Sequence, residues 1–158
     1  AQDNPAEARQ LVEEAVAMRR QLDDQQGLAI TLGNRARLAL LAEDWGTAVT
    51  DYRESLQIAH DIGDQLGCVF ALTGVAAVWA ATGQYAPAAQ LLAAAEQHLA
   101  HIGGVWESDE RALYDQAQQQ VKANLSPADY EMVRQTGYSL TLGESVVLGM
   151  TLQEVVID

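Results

Sequence analysis

The chain repeats itself at a fixed step, the one that leads from Gly27 to Gly67, and no other feature limits its fold as tightly. Laid without gaps, "GLAITLGNRARLALLAEDWGTAVTDYRESLQIAHDIGD" from Gly27 falls over "GCVFALTGVAAVWAATGQYAPAAQLLAAAEQHLAHIGG" from Gly67. Leu32 meets Leu72, Ala36 meets Ala76, Ala48 meets Ala88, and Ile62-Gly63 meets Ile102-Gly103. The same step carried backwards sets "AEARQLVEEAVAMRRQLDD" under the second half of a unit, with Ala8 below Ala48 and Leu22 below Ile62. A unit this short cannot bury its own apolar faces, so its copies must stack. The expected division is a half unit over 5–24, complete units over 27–64 and 67–104, and a different region from 106 to 158. The chain starts without Met and inside a unit, which suggests a segment of a longer protein.

Each unit reads as two helices. The first complete unit places them at about 28–42 and 45–62, the second at about 67–82 and 85–102. Leu28, Leu32, Ala36 and Ala39 recur at helical spacing and form one face. Ala48, Tyr52, Ser55, Leu56 and Ala59 form another on the second helix. Ala36, Ala48, Ala76 and Ala88 suit close helix crossings, where larger side chains would push the axes apart. Trp45 and Tyr85 are placed to fill the space between stacked hairpins. "EDW" and "TGQY" are breaks, and Gly83 suits a helix C-terminus that needs a left-handed residue.

These positions resemble the tetratricopeptide repeat. Leu32, Ala36, Trp45, Ala48 and Tyr52 carry the likeness in one unit, and Leu72, Ala76, Gly83, Tyr85 and Ala88 in the next. The usual period of that family is about 34 residues, and the step of about 40 here is nearer the HEAT range. The glycine–x–aromatic–x–x–alanine turn of "GQYAPA" favours the tetratricopeptide type, with the extra residues lengthening its helices. Glu43 replaces the turn glycine in the first complete unit, and Arg35 stands where an apolar residue is usual. The resemblance implies an all-α, right-handed α-solenoid of helix hairpins closed by a C-terminal helical cap.

Beyond residue 105 the repeat stops. "SDERALYDQAQQQVKANL" predicts a helix with Ser108 as N-cap and acids in its first turn. Leu113, Ala117 and Val121 make a narrow apolar stripe, and Gln116, Gln118, Gln119 and Gln120 mark wet faces, as a terminal cap requires. "SPADYEMVRQTG" predicts a second helix, with Ser126 as N-cap, Pro127 in the first position and Gly137 as its end. Thr141 and Glu144 have capping-box spacing before a short apolar helix containing Val146, Val147, Leu148 and Met150. The tail from 151 to 158 is apolar. Long repeat units followed by "GYSLTLGESV" look like the C-terminal end of bacterial signal-transduction ATPases related to the maltose-regulator and AfsR-like, LuxR-type transcription factors. That likeness implies a sensor region whose ATPase and effector domains precede it; no "GxxxxGK[ST]" phosphate loop occurs in this chain.

Composition narrows the function. Nine basic and 22 acidic residues give a net charge of −13, which disfavours nucleic acid and anionic lipid. The bland reading of that charge is solubility and the sharper one a basic partner. Cys68 has no second cysteine to pair with and sits in "GCVFAL" as a small core residue. Cysteine usage fits a reducing, cytoplasmic compartment, and no apolar run approaches the length of a membrane helix. Catalytic signatures such as GxSxG, HExxH, CxxC and GxGxxG are missing from the sequence, so no enzyme activity and no cofactor are expected. His98 and His101 share a helical face, but two histidines fall short of a zinc ligand set, and no metal site is expected. Pairs such as Asp23-Asp24 read as solvated charge at unit ends.

In the resembled family the first helix of each unit lines a concave binding face. Ile30, Asn34, Arg37 and Leu41 form one stripe on it, matched one repeat step on by Phe70, Gly74, Ala77 and Ala81. The expected contact residues are Ile30, Asn34, Arg37, Leu41, Phe70, Thr73 and Ala77, with the Arg37 fork suited to a carboxylate. The structural alternative pairs Arg35 and Arg37 with acids on a neighbouring helix and puts Phe70 and Trp79 in the core. Expected partners are a protein, a peptide or small ligand, or other domains of a parent chain. Self-association through an exposed first-helix edge containing Leu11, Val12 and Val16 is the alternative.

Overall fold

The computed structural model describes residues 4–151. Of the apolar tail only Thr151 falls within it; 152–158 lie outside the described residues. Eight helices and no strands occur among the described residues: α1 Pro5–Gln21, α2 Gln25–Leu41, α3 Trp45–Asp61, α4 Gln65–Ala81, α5 Tyr85–His101, α6 Ser108–Asn124, α7 Pro127–Tyr138 and α8 Leu142–Met150. The first five start at Pro5, Gln25, Trp45, Gln65 and Tyr85, a cadence of half the step seen in the sequence. Each is 17 residues long, and a short connection of constant length separates each of the first four from the next.

One turn design explains the cadence. Asp23, Glu43, Gly63, Gly83 and Gly103 all have positive φ, between 52° and 85°. The amide three residues past each helix end bonds far back into the last turn: Asp24 to Arg19 O, Asp44 to Ala39 O, Asp64 to Ala59 O, Gln84 to Trp79 O and Gly104 to Leu99 O. The positive-φ residue donates to a carbonyl three residues back, completing the paired bonds of a Schellman turn. Asp24, Asp44 and Asp64 then cap the next helix through the amides of Gly27, Thr47 and Gly67, at 2.9, 3.2 and 2.9 Å. Hydrogen bonding to these caps holds the Asp24 and Asp44 carboxyls below the usual aspartate range. Glu43, out of place as a turn residue by sequence, does the same conformational work as glycine, at the cost of a strained φ of 59°.

The turns stack α2 on α3, α3 on α4 and α4 on α5. The centre of the stack is α4. Every residue from Ala71 to Ala80 is buried, Trp79 completely, and α2, α3, α5, α6 and α8 all touch it. Cys68 lies here, 1% exposed, with burial pushing its thiol up to about 11. After Gly103 the connection lengthens: Gly104, Val105, Trp106 and Glu107 intervene before α6 begins. α6 continues the row of first helices by packing on α4 and α5, with Ala117 and Val121 inward. Its N-cap is Glu107, not Ser108, which is the first helical residue.

The last two helices fold back over the row of second helices. α7 packs mainly on α5 and meets α6 through Tyr130, which takes a hydrogen bond from Gln118 and lies under the Lys122 ammonium. Gly137 does not end α7, which runs to Tyr138. It is buried against the Gln90 carbonyl and Ala93, so a side chain there would collide with the α5 backbone. α8 seats across α3, α4 and α5. The Thr141–Glu144 capping box forms, with both bonds at 3.1 Å. Arg53 on α3 donates to the carbonyls of Gly149 (3.1 Å) and Thr151 (2.6 Å), tying together segments far apart in the chain.

Arg35, anomalous for an inward position, is answered by Asp51. Its Nε and Nη2 reach the two Asp51 oxygens at 2.7 and 2.9 Å, and Nη1 reaches Glu13 at 2.9 Å. Asp51 is 2% exposed, and the bidentate contact raises the guanidinium pKa further. One repeat step on, the same two positions hold Val75 and Leu91, both fully buried. The repeat has thus solved one contact twice, once with an ion pair and once with apolar packing. Removing one partner leaves a charge enclosed, whereas replacing both does not. Urea unfolding of Asp51→Ala should show a loss of about 3 kcal/mol, while Arg35→Val combined with Asp51→Leu should remain within about 1 kcal/mol of the parent. Relieving the strained turn with Glu43→Gly should add about 0.5–1 kcal/mol in the same assay.

Candidate functional site

A cavity of about 760 Å³ opens between α2, α4 and the first turn of α6. The i, i+4, i+7 spacing on α2 brings Ile30, Asn34 and Arg37 to one wall. Leu66, Phe70 and Ala71 of α4 form the second wall, and Trp106 to Glu110 the third. The lengthened connection after α5 is what delivers Trp106. Its indole stacks on Phe70 with centroids 6.3 Å apart and meets Tyr114 at 4.8 Å. Arg37 Nη2 lies 3.3 Å from Asp109 Oδ2, joining α2 to the α6 end across the opening.

Tyr52 belongs to α3 yet reaches this cavity from behind. Its ring lies directly on Gly74 of α4, where any Cβ would overlap it. Gly74 stands one repeat step after Asn34, and only the absence of a side chain there lets the ring reach the cavity wall. Tyr52 is 3% exposed, and its hydroxyl has no hydrogen-bond partner among the described residues. Burial moves the phenol pKa above its ordinary range, against the pull of Arg37 and with the push of Glu110. Ser55 also lines the cavity, but its Oγ donates to Ala29 O at 2.8 Å and is already satisfied.

The expected contact residues divide. Ile30, Asn34, Arg37 and Phe70 converge on this cavity, and Ile30 is 59% exposed. Leu41 and Ala77 line a smaller cavity of about 310 Å³ beside Trp45, Leu113 and Ala117. Thr73 faces neither: it is fully buried and its Oγ1 donates to Val69 O at 2.9 Å. The expected open groove is therefore broken in two, because α6 packs along α4 and covers the middle of the stripe. Arg37 is paired, so it does not present a free fork for a carboxylate. Tyr52, Trp106, Glu107 and Glu110 were not legible as site residues. Tyr52 carries a packing signature on its own helix, and Trp106 sits in a connection with no periodicity; the glycine at 74 was the one available hint.

Elsewhere the polar clusters are structural. His98 Nε2 lies 2.9 Å from Ser145 Oγ, an arrangement that invites comparison with a catalytic dyad. Ser145 is fully enclosed, however, and its hydroxyl donates to Thr141 O at 2.8 Å. The pair clamps α8 to α5, and burial lowers the His98 pKa. No group of three or more His, Cys, Asp or Glu side chains is placed to hold a metal ion among the described residues. No helix among them is long and apolar enough to cross a membrane.

Comparison with known proteins bears on the first three helices. Residues 1–61 match the family model described as Tetratricopeptide repeat. No curated protein and no solved structure gives a match. The repeat period, longer than that family's usual one, consists of two helices of 17 residues each and their two short connections. Over residues 1–61 the chain is similar to the tetratricopeptide repeat, and the described residues are built as an α-solenoid of helix hairpins.

Proposed function

We propose that this chain is a non-catalytic interaction or sensor module that receives a protein segment, peptide or small ligand in the cavity between α2, α4 and α6. One observation carries the proposal: Ile30, Asn34, Arg37 and Phe70 meet at a single cavity that is also lined by Tyr52, whose buried hydroxyl has no partner among the described residues. The volume suits a ligand or a few residues of a peptide. A mostly apolar lining with a few converging polar groups is the usual make-up of a binding site. By its resemblance, the module would serve a multidomain bacterial signalling ATPase or transcriptional regulator in the cytoplasm, and the partner would be another protein or another domain of the same parent. The net charge of −13 disfavours nucleic acid and anionic membrane as direct partners.

A second reading, self-association, has its own observation. Leu11 and Met18 of α1 and Leu22 at its C-cap are 59%, 58% and 68% exposed. The exposed edge differs from the one expected, since Val16 is buried with Leu28 and Leu32. Sedimentation of the parent and of Leu11→Asp/Met18→Asp over a range of concentrations separates the two readings, because a strictly monomeric parent rules out the scaffold. For the cavity, peptides selected from an array should lose at least tenfold in affinity to Ile30→Asp/Asn34→Ala at unchanged helicity. Binders indifferent to both substitutions would remove the basis for the proposal.

A further inference from the structure

We infer that the occupant of this cavity is a basic polypeptide segment that inserts an arginine side chain between the Glu107 and Glu110 carboxylates and the Phe70–Trp106 rings, within reach of the Tyr52 hydroxyl. The inference rests on the cavity being the contact face and adds the chemistry of its partner.

The charges at the cavity argue for a cation. Arg37 is its one basic lining residue, against Asp64, Glu107, Asp109 and Glu110. Arg37 is engaged by Asp109, and Asp64 is engaged in capping α4. Glu107 is the N-cap of α6 yet makes no side-chain capping bond, and neither Glu107 nor Glu110 has an ion pair among the described residues. The surplus is therefore two carboxylates beside the half-buried Phe70 and Trp106 rings. An incoming carboxylate would meet them as like charges, whereas a guanidinium meets two acceptors.

The second, independent observation is the Tyr52 hydroxyl. A buried polar group left without a partner is costly and calls for explanation. Tyr52 is one of the residues lining the cavity, is 3% exposed, and has its phenol under the influence of both Arg37 and Glu110. Its oxygen can accept a hydrogen bond from a donor entering the cavity, and a guanidinium carries five such donors. The stacked Phe70 and Trp106 rings offer aromatic faces that attract a cation. A planar guanidinium suits rings and carboxylates together better than an ammonium does.

The same chemistry appears inside the molecule. Arg134 lies over the rings of Tyr130 and Tyr138, at 6.0 and 5.1 Å, and its Nη2 is 3.5 Å from Glu96. Tyr114 and Tyr138 donate to that same carboxylate. An arginine held by aromatic rings and a glutamate is thus a solution this fold already uses to dock α7. At the cavity the rings and carboxylates are present without the arginine. The overall negative charge would also speed the approach of a basic segment.

The test uses short fluorescent peptides that differ at one central residue: arginine, lysine, citrulline or glutamate. Anisotropy titrations should rank arginine at least tenfold tighter than citrulline, with lysine between and glutamate weakest. Glu107→Gln/Glu110→Gln should erase that preference, while the remote Glu7→Gln/Glu131→Gln should leave it in place. Tyr52→Phe gives a diagnostic split: a higher melting temperature without peptide, because an unsatisfied hydroxyl is gone, together with several-fold weaker arginine binding. Equal affinity for arginine and citrulline, or equal losses from the near and remote glutamate pairs, overturns the cationic occupant. If neutral or acidic peptides then still depend on Ile30 and Asn34, the cavity stands as the contact face and only its chemistry was misassigned. If no peptide responds to either set of substitutions, both proposals fall.

Discussion

The enclosure of α4 governs the rest of the structure. The segment "QLGCVFALTGVAAVWAA" carries no charged residue, and a helix that apolar must be covered on every side. A regular two-row stack covers only part of it. α6 closes the side of the first helices, and α8 closes the side of the second helices. The C-terminal region is therefore less an end piece than a wrapping around the centre. This is also why Arg53 reaches Gly149 and Thr151, and why His98 and Ser145 meet.

The cavity is a consequence of that wrapping. α6 lies along α4 but starts late, after an irregular connection, so its first turn leaves a space over Phe70 and Ala71. Trp106 narrows the space and Arg37–Asp109 bridges it. Tyr52 enters from the other row because Gly74 leaves its path clear. A cavity built in this way belongs to four helices and a connection, and no single stretch of sequence contains it.

The internal repeat offers a controlled comparison within one chain. Positions 35 and 51 hold an arginine and an aspartate, and their counterparts 75 and 91 hold valine and leucine. The first unit lies near the edge, where Arg35 stays 20% exposed and also reaches Glu13 on α1. The second lies in the centre, where a charge would be cut off from water. The difference in composition between units thus tracks depth in the stack.

The sequence by itself determined the helices, their pairing and the stack, because these depend on local periodicity, turn chemistry and a repeat that must bury its faces. Leu32, Ala36, Ala48, Leu72, Ala76 and Ala88 read as packing positions and all are buried. Even so, the turn at Glu43 looked defective until its positive φ showed it following the same design as Gly83. Only the tertiary structure decided that Gly137 marks a close helix approach, that Thr73 is interior, and that the stripe expected to make contacts is divided by α6. Those facts depend on how far α6, α7 and α8 fold back, which is set by non-local packing against α4 and α5 and leaves no periodic trace. Tyr52 shows the limit most plainly: by period it is a core residue, and it lines the cavity only because a glycine on another helix makes room for its ring.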